Sequence, residues 1–389
     1  MDRRRGRLAN RRAPDLRTSP ALARGQSHSP VARTDVRDGQ TVHCPWLSGR
    51  STRVLVTGGS GFIGQHLVSA LIERGRTVRV LDLKPPARAL PEVQYVGGSV
   101  LDKDVVDAAL DGVDQVYHLA GLPGMWLPRK NDFHAVNYGG TEVVIAAARK
   151  RGVARFLHCS TESILFRRWP SENAAAENFL PPAEDMPGPY TRSKMLADQL
   201  AMRAAESGFP VVIGCPTMPI GPDDHNLTPP AAMLRHFLDS RLQLYLDFIV
   251  NLVDVRDAAT GLVLAMERGK VGHRYILGGE CISLKQVLRL MAVMSGRLSP
   301  LVPVPGRLAE ITAAVLEFIA DYVTRRPPSG TAEGVRIALR ARVLSIEKAQ
   351  RELGYAPRPV EPALRETIAY LLGAAGQNYE LRAGTTPVY

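Results

Sequence analysis

Three groups of residues in this 389-residue chain have the types and spacing of reacting or ligand-holding groups. The first is YTRSK, in which Tyr190 and Lys194 stand four positions apart. On a helix that separation puts both side chains on one face. A lysine ammonium beside a phenol favours the phenolate and draws a pKa that starts near ~10 toward the working range. A tyrosine so placed acts as general acid or base at a carbonyl or alcohol oxygen. The spacing alone is weak, since about one such pair arises by chance in a chain this long. Its weight comes from its place, opening a helix after the long loop of a fifth strand. The second group is Ser160–Thr161, which closes the segment ARFLHCST and offers a hydroxyl that could polarise the same oxygen. The third is VLVTGGSGFIGQHL, from Val54 to Leu67. Gly58, Gly61 and Gly64 recur there as G-x-x-G-x-x-G, directly after an apolar run and at the start of a helical one. The first glycine allows a tight turn, the second lets the backbone approach a pyrophosphate, and the third lets helix and strand pack closely. Asp82 ends the next apolar run eighteen residues past Gly64, where an acid accepts hydrogen bonds from an adenosine ribose. Its charge repels a 2′-phosphate and favours NAD, while Lys84 and Arg88 close behind leave NADP open.

These residues need a frame, and the hydropathy pattern supplies one. RVLVT, TVRVLDL, VQYVGG, QVYHLAG, ARFLHCST and PVVIGCP read as short strands. FIGQHLVSALIERG, DKDVVDAALDGV, FHAVNYGGTEVVIAAARKRG and YTRSKMLADQLAMRAAESG read as the helices between them. Strand–helix alternation with runs rich in Val, Ile and Leu implies an α/β fold: a Rossmann doubly wound parallel sheet with helices on both faces. After Pro216 the pattern loosens into long loops around shorter elements such as NLVDV, RYILGG and SLKQVLRLMAVMSG. A smaller mixed C-terminal lobe shaping a substrate cleft over the strand ends is expected there. The organisation read from the chain is a tail over 1–50, a dinucleotide-binding Rossmann domain over 51–216, the lobe with some sheet-completing elements over 217–375, and a tail over 376–389.

The formal charge of +11 is concentrated at one end. Positions 1–50 hold eleven arginines, no lysine and four aspartates, and so carry +7 of it. The remaining +4 is ordinary for a body of this size and gives no nucleic-acid signature. The Arg-rich segment lacks a sustained apolar period and the apolar stretch of a secretory signal, so a solvated tail is expected ahead of a transit peptide or a nucleic-acid-binding arm. Cys44, Cys159, Cys215 and Cys281 show no close pair at metal-ligand or redox spacing, which suits a reducing, cytoplasmic setting. No uncharged apolar run approaches the ~18 residues of a membrane span. LAEITAAVLEFIADYVTR, from Leu308, is broken by Glu310, Glu317 and Asp321 and reads as an amphipathic packing or subunit-contact helix.

TGGSGFIG, the HLAG after the fourth strand, VNYGGT, HCST, YTRSK and PTMPIGPDD occur in an order that resembles the extended short-chain dehydrogenases/reductases, the NAD-dependent epimerase/dehydratase family. The likeness runs from about Arg53 to about Leu372. Within it, FPVVIGCPTMPIGPDD, VGHRYILGGECISL and IEKAQRELGYAPRPVEPAL most resemble the hopanoid-associated sugar epimerase and dihydroflavonol-reductase-like branch. The resemblance implies that Tyr190 is the acid/base, that Lys194 holds the nicotinamide ribose and tunes Tyr190, and that Thr161 is the hydroxyl partner, with Ser160 the fallback. It also implies that Phe62 and Ile63 offer backbone amides to the pyrophosphate, that Leu119 and Ala120 line the cofactor wall, that Asn137 braces the strand ends, and that Pro216 closes over the nicotinamide. His118, in VYHLA, is expected to be a packed, hydrogen-bonded residue. A homodimer formed through the helices of Asn137 and Tyr190 is implied by the resemblance alone.

Two departures bear on the ligand. Members often carry an acid after the third strand to meet the adenine; here Ser99 stands in GSVLD, which leaves the contact to Val100. Nucleotide-sugar members commonly carry an Arg before the V-x-V-x-D strand, facing the diphosphate. Here that position is Val250, which argues against a sugar nucleotide, with Arg235 and Arg241 as candidate substitutes. The expected activity is hydride transfer at a secondary alcohol or ketone of a small molecule, with no nucleic acid and no membrane span. Cleft loops at Gly121–Asn131, Glu162–Pro189 and Pro216–Arg235 should select the substrate, with Met125, Trp126, Leu127 and Phe166 as a candidate apolar wall. Nucleotide-sugar epimerase or dehydratase, and non-catalytic dinucleotide sensor, stand as alternatives.

Overall fold

Arg53–Thr57 becomes the strand β1 because every residue after Arg53 is apolar or can be paired, and all four are buried. The structure is a computed structural model and describes residues 51–168, 177, 180–296 and 301–376. The Arg-rich segment, Cys44 and the stretch after Gly376 lie outside those residues, as do the expectations attached to them. In chain order the strands that follow are β2 (Thr77–Asp82), β3 (Gln94–Gly97), β4 (Gln115–His118), β5 (Arg155–Cys159), β6 (Val211–Pro216), β7 (Met218–Ile220), β8 (Gln243–Tyr245), β9 (Ile249–Asp254), β10 (Arg274–Leu277), β11 (Glu280–Ser283) and β12 (Leu301–Pro303).

Seven of them form one sheet in the order β10-β6-β5-β4-β1-β2-β3, parallel throughout. The chain runs outward from β1 through β2 to β3, then returns to the other side of β1 with β4. That reversal opens a crevice at the carboxyl ends of β1 and β4, where a doubly wound sheet takes its ligand. Burial on both faces explains why these strands read as continuous apolar runs. One face is covered by the helices Phe62–Glu73 and Val255–Arg268, around Val56, Leu67, Leu262 and Leu277. The other is covered by Lys103–Ala109, Gly140–Lys150 and Pro189–Glu206, around Leu55, Val116, Val144 and Ile213.

The remaining strands make a three-stranded sheet, β11-β9-β7, and a two-stranded one, β12-β8. They share a separate core of Leu234, Val250, Ile282, Leu288 and Leu364 with the helices around them. β10, the RYILGG strand, closes the edge of the main sheet against β6. The segment FHAVNYGG departs from a plain helix. After the single turn Asn131–Phe133, His134–Gly139 takes the wider π geometry before the α-helix Gly140–Lys150 begins. Such a bulge changes which side a residue faces without ending the helix, and it is common at functional sites.

Candidate active site

Thr57, Asp82, His118, Cys159 and Pro216 are the last residues of five neighbouring or near-neighbouring strands. The glycine turn, Asp82, Leu119, Ala120, Thr161 and Pro216 therefore fall at or just beyond the carboxyl ends of these strands, and Lys194 reaches the same end from its helix. The glycine turn fits its expected form. Gly58 adopts φ +71°, and a Cβ there would stand 2.7 Å from the Ala120 nitrogen. A Cβ on Gly64 would stand 2.2 Å from the Gly58 carbonyl oxygen, so the helix can begin this close to the turn only without a side chain. Gly61 caps the Phe62–Glu73 helix; no side chain caps it and its first turn holds no acid. The leading N–H groups, those of Phe62 and Ile63 among them, thus lack an intrahelical acceptor and lie at the positive end of the helix dipole.

Asp82 accepts the Ser60 N–H on Oδ2 at 3.0 Å and the Lys84 N–H on Oδ1 at 3.4 Å. Burial pushes its pKa up and those backbone donors pull it back. Leu119 and Ala120 lie with their backbone against Gly58, and Ala120 N–H donates to Thr57 Oγ1 at 3.2 Å. Val100 is 6% exposed, and its side chain packs in the core against Gly140. Only its backbone is left for an adenine. Ser99 Oγ is taken up by the Leu101 N–H.

His118 is the packed histidine the sequence suggests. Nδ1 meets Thr57 Oγ1 at 2.7 Å and Nε2 meets Thr141 Oγ1 at 3.0 Å. Burial lowers its pKa to about 3, so the ring stays neutral. Asn137, turned by the π bulge, accepts the Leu122 N–H at 2.7 Å and donates to Ser193 Oγ at 2.9 Å. It ties the loop after β4 to the Pro189–Glu206 helix.

On that helix Tyr190 packs edge-on to Phe133, with ring centres 5.9 Å apart, and its phenol lies beside Thr161 and Glu162. Thr161 Oγ1 in turn donates to Glu162 Oε2 at 3.1 Å and lies 3.1 Å from Ser163 Oγ. Ser160 Oγ is buried without a partner. Lys194 Nζ donates to the Cys159 carbonyl at 2.8 Å, and burial lowers its pKa. Tyr190 is pushed above the ordinary phenol value by burial first and the Glu162 charge second. The Lys194 ammonium faces the strand carbonyl, while the Glu162 charge bears on the phenol.

Two acids of the site were missed in the sequence. Glu162, between Thr161 and the 3-10 turn Glu162–Leu165, is pushed up to about 7 by burial. Its place directly after the hydroxyl pair was the available signal. Glu333, on the helix Ala332–Arg340, accepts the N–H groups of Tyr190 (3.2 Å) and Thr191 (2.7 Å) and the Thr191 hydroxyl (2.7 Å). It caps the start of the Tyr190 helix from far along the chain, and Gly188 leaves room for its carboxylate. One turn past Lys194, Asp198 is fully buried and paired with Arg274 of β10 at 2.5 Å, which anchors the same helix to the sheet edge. In the expected apolar wall, Phe166 belongs to the core at 5% exposure, and the Trp126 indole donates to Asp321 at 2.6 Å. Val250 is 1% exposed within the lobe core, opposite Ile282. Arg235 is committed to Asp239 and to the Leu371 carbonyl.

A dinucleotide fits the residues present. The glycine turn is a cradle that any Cβ would fill, the helix start is uncapped, and Ser60 Oγ beside it is buried without a partner. Fold and site together define a nicotinamide-dependent enzyme of the short-chain dehydrogenase/reductase type. The chain belongs to the NAD dependent epimerase/dehydratase family, whose pattern matches residues 54–278, and NAD is the cofactor of that class. It is 32% identical over 320 residues to a putative dihydroflavonol 4-reductase of Synechocystis sp. (strain ATCC 27184 / PCC 6803 / Kazusa), covering 80% of this chain and 92% of that one. It is 30% identical over 334 residues to the 2-alkyl-3-oxoalkanoate reductase of Stenotrophomonas maltophilia (strain K279a), covering 82% and 98%. The solved UDP-glucose 4-epimerase of Thermus thermophilus, in complex with NAD, superposes with a TM-score of 0.67 at 24% identity, covering 83% and 100%; at that identity the likeness is one of fold.

Proposed function

We propose that the chain is an NAD-dependent reductase of an apolar ketone, reversible as a secondary-alcohol dehydrogenase, and that it does not act on a sugar nucleotide. The observation that carries the reaction is the grouping of the Tyr190 phenol with Thr161 and Glu162 at the carboxyl end of β5, with Lys194 on the adjoining helix turn. A nicotinamide held there would supply the hydride in reduction and take it in oxidation. Tyr190 gives its phenolic proton to the oxygen as charge develops on it. Thr161 holds the same oxygen once its single O–H, given to Glu162 in the free site, turns to it, and a donor so placed stabilises the charge that develops there. Lys194 uses one N–H on the Cys159 carbonyl and keeps two for ribose hydroxyls. Phe62, Ile63 and the glycine turn would take the pyrophosphate, Pro216 would close the nicotinamide side, and the Asp82 carboxylate would take the adenosine ribose. That last contact favours NAD over NADP.

The substrate side of the reading rests on Val250 and Arg235. A diphosphate needs a cation aimed into the cleft; Val250 is core, Arg235 is engaged elsewhere, and Arg241 stands exposed beyond the end of the helix Pro229–Asp239. Cytoplasmic placement and a homodimer through the Asn137 and Tyr190 helices belong to the same reading, the dimer being testable by sedimentation velocity. Among the described residues no helix is long and apolar enough to cross a membrane.

The decisive experiment follows NADH absorbance with a panel of apolar ketones and sugar nucleotides. Net oxidation with ketones alone is expected. Interconversion of a sugar nucleotide without net NADH loss would overturn the reading in favour of an epimerase. Tyr190→Phe should lower turnover by roughly 10²–10⁴-fold while NADH affinity stays within about threefold, because the phenol works only on the reacting oxygen. Undiminished turnover in that variant would remove Tyr190 from the reaction.

A further inference from the structure

The helix Gly306–Ile319, continued by the wider turn Ala320–Thr324, has two unlike sides. Leu308, Ile311, Val315, Phe318 and Tyr322 recur at three- and four-residue intervals and, with Val323, are 53–71% exposed. That spacing lines them along one face. The three acids point elsewhere and are all engaged: Glu310 with Arg336 at 2.7 Å, Glu317 with Lys130 at 2.9 Å, and Asp321 with Lys130 at 3.2 Å. At the two ends of the apolar face stand Arg307, Arg325 and Arg326, all exposed and, among the described residues, in no ion pair. Isolated apolar side chains on a surface need no explanation, but a continuous stripe marks an interaction surface.

Charge decides what covers it. A second copy of this helix, laid antiparallel, would bring Arg307 against the partner's Arg325 and Arg326; laid parallel, it would set like against like. In both cases cations meet cations, because every acid of the helix is already paired on the inner side. An anionic surface meets the arginines and accepts the apolar stripe in one step. We propose that this face docks on the surface of an anionic phospholipid bilayer, with the helix lying in the membrane plane. An apolar stripe with aromatic side chains and flanking arginines is the pattern of an interfacial helix. The inner side of the same helix holds Lys130 and Trp126 of the loop bordering the cleft. Docking therefore brings the cleft next to the bilayer, the reservoir of an apolar substrate. The docking stands on the helix alone; only this last consequence rests on the reductase reading.

The test is co-sedimentation of the full chain with phosphatidylglycerol–phosphatidylcholine vesicles and with pure phosphatidylcholine vesicles. The wild type is expected to sediment with the anionic vesicles only and to be released by salt. Two double variants, Ile311→Ser/Phe318→Ser and Arg325→Glu/Arg326→Glu, should each bind at least ~10-fold more weakly. Their NADH affinity and thermal unfolding should match wild type, since all four side chains are exposed. Absence of binding by the wild type overturns the proposal. So does binding equal to wild type in the Ile311→Ser/Phe318→Ser variant, which would transfer the attraction to the Arg-rich N-terminal segment. A change of oligomeric state in that variant without vesicle binding would assign the face to a second copy instead.

Discussion

Replacing Glu162 by Gln removes the acid whose charge bears most on the reacting phenol, and its place beside Thr161 sets the size of the effect. Glu162 Oε2 lies 3.1 Å from Thr161 Oγ1, and both residues lie beside the Tyr190 phenol. An acid and a phenol flanking one hydroxyl stand roughly 6 Å apart. At an effective dielectric of about 20, a unit charge at that range acts on the phenolate with roughly 3 kcal/mol, or about two pKa units. Glu162 is partly exposed, so screening reduces this to about one unit. The carboxylate is charged above its pKa of about 7 and then opposes ionisation of Tyr190. Alcohol oxidation needs the phenolate, so Glu162→Gln should move the alkaline rise of the oxidation rate about one unit lower. At pH 8 that is roughly a tenfold gain in oxidation rate, with ketone reduction, which uses the neutral phenol, little changed. The inflection near 7 should vanish from the oxidation profile. The assay is kcat and kcat/KM against pH in both directions for wild type, Glu162→Gln and Glu162→Asp. Superimposable profiles for wild type and the Gln variant would refute the coupling of Glu162 to Tyr190.

Other changes test the supports of the site. Gly64→Ala puts a Cβ 2.2 Å from the Gly58 carbonyl, so NADH affinity by fluorescence titration should fall at least ~10-fold while the sheet core persists; wild-type affinity would argue that the turn is not the pyrophosphate cradle. Glu333→Ala removes the acceptor for the N–H groups of Tyr190 and Thr191. It should cost about 1–2 kcal/mol of stability in chemical denaturation and lower kcat more than it raises KM, since it displaces Tyr190; an unchanged kcat would leave Glu333 a purely structural cap. Arg274→Ala leaves the Asp198 carboxylate buried and unpaired, a loss of about 3–5 kcal/mol, and a thermal midpoint equal to wild type would contradict it. Glu162 also titrates with folding. Its pKa is raised in the folded state, so its contribution to stability is complete below the unfolded value near ~4.3 and is lost as pH climbs through about 7. The Gln variant should therefore gain thermal stability over wild type at pH 8 and lose that gain by pH 4.

The sequence by itself determined what depends on local order. The glycine turn, the acid ending β2 and the Tyr190–Lys194 pair were legible because each lies within one strand–turn–helix unit, where spacing alone sets direction. The parallel sheet was legible because doubly buried strands must be continuously apolar, and His118 was rightly read as packed because it sits within such a strand. Tertiary structure decided what depends on burial and on distant partners. Glu162 reads in the chain as one more polar loop residue, and only desolvation beside Thr161 moves its titration toward neutrality. Glu333 lies about 140 residues from the amides it caps, and no pattern in the chain links the two. Lys194 bonds the Cys159 carbonyl because β5 ends beneath its helix, which a four-residue spacing cannot convey. The stripe on Gly306–Ile319 was recognisable as amphipathic. That its polar side, not its apolar one, faces the protein was decided by Lys130, Trp126 and Arg336, which hold the three acids inward and leave the apolar face to the outside.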